Sequence, residues 1–200
     1  PTRHARENQF RDGLIIAFLA FRPIRRRNIA AIRIGRHLLR VGGGYKVVFS
    51  GEETKNKQPI EVKLPDILVP FIDRYLAEIR PGFPRASEHD GLWASEKGFP
   101  MGAGTIYDRV RLRTRKALGV AVNLHCIRDS AATFLADHDE EGLNNARDLL
   151  GHARLSTTER YYIHANRRKA VQAFQTSIEE LRRQFREQSK ARLPTLGTST

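Results

Sequence analysis

Five short stretches of the sequence hold polar residues whose types could act together on one charged group. Arg25 lies in Ile24-Arg25-Arg26-Arg27-Asn28-Ile29, and Lys55 in Thr54-Lys55-Asn56-Lys57. Downstream come His125-Cys126-Ile127-Arg128, Leu149-Leu150-Gly151-His152 and Ser156-Thr157-Thr158-Glu159-Arg160-Tyr161-Tyr162. Guanidinium groups clamp phosphates with forked hydrogen bonds. A phenol is an oxygen nucleophile able to hold a phosphate covalently, although its ordinary pKa of about 10 asks for a base or cationic surroundings. His125 and Arg128 are three apart, so a helix would carry both on one side. Gly151 reads as a helix C-cap that pins His152 at a sharp turn. Taken singly, each has a plainer reading: a surface His and Arg, a solvated His, one core and one surface tyrosine ring.

Charge narrows the target. Lys and Arg total 35 against 22 Asp and Glu, a net +13 over 200 residues. Between Arg22 and Lys46 there are eight Lys/Arg and no acid, and Arg109, Arg111, Arg113, Arg115 and Lys116 form a second group. Such blocks point to a polyanion, most simply nucleic acid, though a solvated basic face gives the same counts. The Arg109–Arg115 alternation spreads over more than one helical face, so part of it meets phosphates and part only water. The single cysteine, Cys126, excludes a disulfide framework and fits a reducing, cytoplasmic setting. The apolar run from Leu14 to Phe21 falls far short of a bilayer span, and no signal pattern opens the chain, which starts at Pro1 as a fragment would. Asp137-His138-Asp139-Glu140-Glu141 has metal-type ligands, but an acidic helix end is the better reading.

The elements that must position these residues follow from periodicity. Arg6 to Phe21 predicts a helix buried on Phe10, Leu14, Phe18 and Phe21, interrupted by Pro23 and resumed over Ile24 to Ile32. Leu38 to Ser50 predicts two strands around Gly42-Gly43-Gly44; Gly51 to Gln58 is a turn, and Ile60, Val62 and Leu64 mark a third strand. Pro65-Asp66 starts a helix with Ile67, Leu68, Phe71, Ile72, Tyr75 and Ile79 turned inward, followed by a loop from Arg80 to Asp90. Gly104 to Leu118 predicts a helix buried on Ile106, Val110 and Ala117. Shorter helices are predicted near 125–136, 144–150 and 157–164, then a long one over 165–190 and a disordered tail over 191–200. The fold class is mainly α with a small three-stranded antiparallel sheet, an α+β domain over 1–190.

In order and spacing, Arg25, Lys55, His125-x-x-Arg128, Gly151-His152 and the tyrosine resemble the signature of the tyrosine recombinases, the phage-integrase and Xer-like family. The resemblance spans roughly Arg6 to Arg186. It implies the catalytic-domain fold of that family and site-specific breaking and rejoining of DNA through a 3′-phosphotyrosine, with neither metal nor ATP. Arg25 and Arg128 would clamp the phosphate, Lys55 would protonate the leaving 5′ oxygen, and His152 would bond a phosphate oxygen. His125 would serve the phosphate or carry the tyrosine proton. Counting from His152 selects Tyr161 as nucleophile, whereas Tyr162-Ile163-His164 selects Tyr162, which is favoured slightly. Asn28 stands where the family usually has an acid, and Asp129 where it often has a histidine. Lys55 fits the family's turn better than Lys57.

Arg22, Arg26, Arg27, Lys57, Arg109 and Arg113 complete the expected DNA contacts, on double-stranded DNA bound by a homotetramer and with no membrane partner. Fewer than ten residues precede the first helix, so the family's upstream DNA-clamping domain is expected to lie outside this chain. A topoisomerase of the same chemistry, or a basic module that binds without cutting, are the competing classes. The charge pattern predicts sequence-tolerant DNA binding that weakens steeply with salt. Titrations of one duplex at rising ionic strength check this, and a flat response overturns it.

Overall fold

The computed structural model of the chain describes residues 3–138 and 183–184. The helices expected over 144–190, the tail, His152, Tyr161 and Tyr162 lie outside the described residues, as do the side chains of the acidic run from Asp137.

Helix α1 (Arg3–Phe21) buries Leu14, Ile15, Phe18 and Leu19, and ends where Pro23 removes a backbone donor. Helix α2 (Arg26–Ala31) begins only after Arg25, whose extended backbone makes it the N-cap residue. The sheet is antiparallel in the order β1 (Leu38–Val41), β2 (Gly44–Phe49), β3 (Ile60–Lys63). Gly42 and Gly43 both have positive φ, 55° and 79°, as the tight hairpin pairing Val41 with Gly44 requires. Tyr45, Val47 and Phe49 alternate into the core from β2, and Val47 sits between Leu38 and Val62.

From Asp66 to Gly82 the chain winds continuously but changes pitch, with α3 (Val69–Arg74) between a 3₁₀ turn and a π turn. Leu68, Ile72 and Tyr75 are buried, whereas Ile67 and Phe71 are 63% and 50% exposed, against expectation. The partner surface covers one stripe of this short helix, and those two side chains lie one shoulder around it. The stretch after Arg80 is less irregular than its composition suggests. The buried Arg80 guanidinium donates to the carbonyls of His89 and Gly91, fixing the 3₁₀ turns beside it. Trp93 closes the core, edge-on to Phe18 and donating through Nε1 to the Ile29 carbonyl at 3.0 Å.

Helix α4 (Ala103–Leu118) packs on α1 and α2 through Ile106, Val110 and Thr114. Ala117 is exposed rather than inward, because Thr114 takes that stripe, donating to the Val110 carbonyl and accepting from Val122 N–H. Phe21, at the end of α1, is also exposed. Helix α5 (Leu124–His138) is capped by Asn123, whose Oδ1 accepts from Cys126 N–H at 2.9 Å, and buries Leu124, Arg128 and Ala132 at four-residue steps. Among the described residues no helix is long and apolar enough to cross a membrane.

A buried polar cluster joins α1 to α4. One Asp12 oxygen accepts from Arg11 and the other from Arg109, at 2.6 and 2.9 Å, and from Arg113 at 2.8 Å. Arg11 also donates to the Ala94 carbonyl at 2.8 Å. Burial pushes the Asp12 carboxyl up, but the bond from Arg109, the charge of Arg11 and the bonds from Arg11 and Arg113 outweigh it, leaving a lowered pKa. The ionised carboxylate therefore stabilises the fold above about pH 4, and that contribution drains as pH falls through the lowered value. Asp12→Asn should cost about 3–5 kcal/mol in urea denaturation at neutral pH, because Arg11 then stays buried without its counter-charge. The variant's stability should also depend less on acid than the parent's.

Candidate active site

Two of the sequence candidates, Arg25 and Arg128, bond at the place where α1 hands over to α2, and the turn that carries a third, Lys55, is tied to Arg25 through Asn56. Arg128, on the inward face of α5, is buried and donates through Nη1 to the carbonyl of Pro23. Two residues on, Arg25 is half-buried, and its Nη1 donates to Asn56 Oδ1 at 3.3 Å. Asn56 adjoins Lys55 in the turn between β2 and β3. Two hydrogen bonds thus link α5, the α1–α2 turn and the β2–β3 turn. Burial alone lowers the Arg25 pKa from its ordinary value, which marks a cation that water solvates poorly. Lys55 itself is exposed.

The β2–β3 turn is stiff. Thr54 Oγ1 donates to the carbonyls of Gly51 and Gln58, and Lys57 takes a left-handed φ of 56°. Gly51 lies so close to the Lys57 carbonyl that a Cβ there would fall 2.5 Å from the oxygen. In the same turn, Glu53 joins a capping box with Ser50 and accepts from His37 and Arg36. The bonds from His37, foremost, and from Ser50 hold the Glu53 carboxyl at about 2.

The remaining candidates divide. His125 is exposed in the first turn of α5 and lies 3.7 Å from Asp129, so the three-residue step does not put it beside Arg128 in the interior. Arg128 shares the Leu124–Ala132 stripe, and His125 stands about 60° around the helix from it. Arg26, Arg27 and Lys57 are exposed. Arg22 donates to the Lys63 carbonyl at 2.9 and 3.2 Å, and Arg109 and Arg113 turn to Asp12. These three therefore have internal partners that the charge pattern did not foresee. Reading the sequence also missed Asn56, Pro23 and His37. Asn56 had a local signal, its place in the Lys55 turn; the Pro23 carbonyl had none. Among the described residues no group of three or more His, Cys, Asp or Glu is placed to hold a metal ion.

The family model that matches this chain is the phage integrase family, over residues 2–169. The chain belongs to that family. Among curated proteins, this phage integrase family member is 26% identical over 163 residues to the tyrosine recombinase XerD of Chlamydia pneumoniae, covering 80% of this chain and 50% of that protein. It is 32% identical over 101 residues to XerD of Pseudomonas aeruginosa, covering 50% of this chain and 34% of the relative. The chain thus spans about half, or less, of the curated relatives it matches. Its fold is that of tyrosine recombinase catalytic domains. The XerH recombinase in a post-cleavage complex with a palindromic difH substrate superposes at a TM-score of 0.67 with 24% identity, over 87% of this chain and 47% of that one. XerA recombinase gives 0.63 with 19% identity, over 86% and 62%.

The two arginines should separate in stability. Arg128→Leu leaves the Pro23 carbonyl without its donor inside the fold and should cost about 1–3 kcal/mol. Arg25→Ala, half in solvent, should change the denaturation midpoint far less, and thermal melts of the two variants decide it.

Proposed function

We propose that this chain is the catalytic domain of a site-specific DNA recombinase that breaks and rejoins strands through a covalent 3′-phosphotyrosine. The observation that carries the reading is the convergence of Arg128, Arg25 and the Lys55 turn around Pro23 and Asn56, in a member of the phage integrase family. The substrate is double-stranded DNA, and the working assembly is a homotetramer on two duplexes. Residues 1–190 form the catalytic domain, and a DNA-clamping domain belongs upstream of them.

The phosphate accumulates charge as the phenol attacks, and Arg25 and Arg128 would stabilise it with forked donors in a poorly hydrated setting. An incoming phosphate would also compensate the desolvation that lowers the Arg25 pKa. His152 supplies a further donor. The phenolic oxygen of Tyr162, or of its neighbour Tyr161, bonds to phosphorus, and its proton passes to His125 or water. The bond from phosphorus to the 5′ oxygen breaks with its electron pair, and Lys55 gives that oxygen a proton. The phosphotyrosine keeps the energy of the phosphodiester, so the reverse attack by a 5′ hydroxyl reseals the strand without ATP. Arg26, Arg27 and Lys57 hold flanking phosphates.

A nicked suicide duplex tests this. The protein should become linked to a 3′ phosphate, in EDTA as well as in Mg²⁺, and mass spectrometry of the attached peptide names the tyrosine. Tyr162→Phe should abolish the adduct and keep DNA affinity, while Tyr161→Phe stays active. Arg25→Ala or Arg128→Ala should cut adduct formation a hundredfold or more, on the scale of about 3 kcal/mol for a lost transition-state donor, with a much smaller loss of binding. No adduct from the parent protein would leave only a basic DNA-binding module, and adduct from both tyrosine variants would overturn the assignment of a single tyrosine nucleophile. Relaxation of a two-site plasmid without exchange would indicate a topoisomerase instead.

A further inference from the structure

His37 is a buried histidine that the mechanism above does not use. Arg33 N–H donates to its Nδ1 at 3.1 Å, so the ring proton sits on Nε2 and is donated to Glu53 Oε1 at 3.0 Å. The ring stacks on Phe49 with 4.4 Å between centroids, and the His37 carbonyl accepts from Val48 N–H at 2.9 Å. Only one ring orientation and one tautomer satisfy the two bonds at Nδ1 and Nε2. The rest of Glu53 is equally committed: Arg36 donates to Oε1 at 2.6 Å, and the Ser50 N–H and hydroxyl to Oε2 at 3.0 and 3.1 Å.

Glu53 stands two residues before Lys55, at the entry of the turn closed by Thr54 and by the approach of Gly51 to Lys57. On the other side of Lys55, Asn56 takes the bond from Arg25. The exposed lysine is thus flanked by two residues whose side chains are tied to different parts of the core. A stiff turn passes the position of Glu53 on to Lys55, which a floppy turn would not do.

From this geometry we infer that His37, acting through Glu53, is a positioning residue for Lys55, and sets the aim of its ammonium at the leaving 5′ oxygen. The inference rests on the recombinase reading above. Lys55 is the group that transfers a proton. His37 and Glu53 touch no substrate and fix where the turn presents it. A misplacement of about 1 Å in such a donor can slow a reaction on the order of a hundredfold without weakening binding.

The test compares two suicide duplexes, one ordinary and one with sulfur in place of the bridging 5′ oxygen. Thiols are several pKa units more acidic than alcohols, so the thiolate leaves without a proton and cleavage no longer needs Lys55. Single-turnover adduct formation is measured for the whole chain and for Lys55→Ala, His37→Phe, His37→Gln and Glu53→Gln. His37→Phe keeps a ring to stack on Phe49 but loses both polar contacts. Glu53→Gln changes a partly exposed group, so it carries the test if His37→Phe fails to fold.

On the oxygen substrate, His37→Phe and Glu53→Gln should be about ten- to a hundredfold slower than the parent at saturating DNA, with unchanged DNA affinity. On the sulfur substrate both should return to the parent rate, as Lys55→Ala should. His37→Gln, which retains a donor toward Glu53, should recover most of the oxygen-substrate rate. Parent-like rates on the oxygen substrate, or an equal deficit on both substrates, would overturn the inference. No adduct from the parent on either duplex would instead overturn the recombinase reading beneath it.

Discussion

A carboxylate taken wholly out of water has to be surrounded by donors, and meeting that demand at Asp12 ties α1 to α4. Three guanidiniums converge on it, from Arg11 beside it on α1 and from Arg109 and Arg113 on α4. Arg11 continues to the Ala94 carbonyl, so the segment around Trp93 is drawn into the same junction. With α1 held in this way, its C-terminal end delivers Pro23 and Arg25 to a defined place. Helix α2 packs against α4 as well, so both sides of the Pro23 turn rest on one helix. Apolar burial supplies the larger free energy but is non-directional, whereas the bonds of the charge cluster are directional and join α1 to α4 and to the Ala94 carbonyl.

The candidate site is built on that junction as tethered segments. Arg128 spends a donor on the Pro23 carbonyl, and Arg25 spends one on Asn56, so neither guanidinium is oriented by its own helix alone. The β2–β3 turn is anchored at Asn56 and again at Glu53, while Lys55 between them remains in solvent. Fixed backbone and exposed tips are what a site for a large polyanion needs. A polyanion would reach such groups from outside, with their positions already set before it arrives.

The parts of this arrangement that could be read beforehand are those governed by local rules. The Gly42-Gly43 hairpin, the alternation of Tyr45, Val47 and Phe49, and the stripe of Ile106 and Val110 follow from turn chemistry and periodicity, and the structure has all of them. The order of the site candidates, Arg25 to Arg128, also showed in the chain; in the structure Arg25 bonds the Lys55 turn and Arg128 bonds Pro23, while His125 stands apart in solvent. Misreadings arose where a partner surface decides. Ile67 and Phe71 were expected inside a helix that turns out to be covered on one stripe only, and Thr114 rather than Ala117 faces the core from α4. The segment after Arg80 looked loose because its stabilising group is a buried arginine, a residue type that composition assigns to the surface.

By itself, then, the sequence determined a basic, mainly helical domain with a three-strand sheet and the residue types of a phosphate-handling site, because charge, periodicity and turn preference act over a few neighbouring residues. Which arginines are committed inward was decided by the tertiary structure. Arg22, Arg109 and Arg113 look like Arg26 and Arg27 along the chain, and only the approach of Lys63 and Asp12 from distant positions tells them apart. The same holds for His37. Its tautomer and its hold on Glu53 depend on Arg33, Phe49 and the Lys55 turn being folded around it, and no local rule brings those groups to one ring.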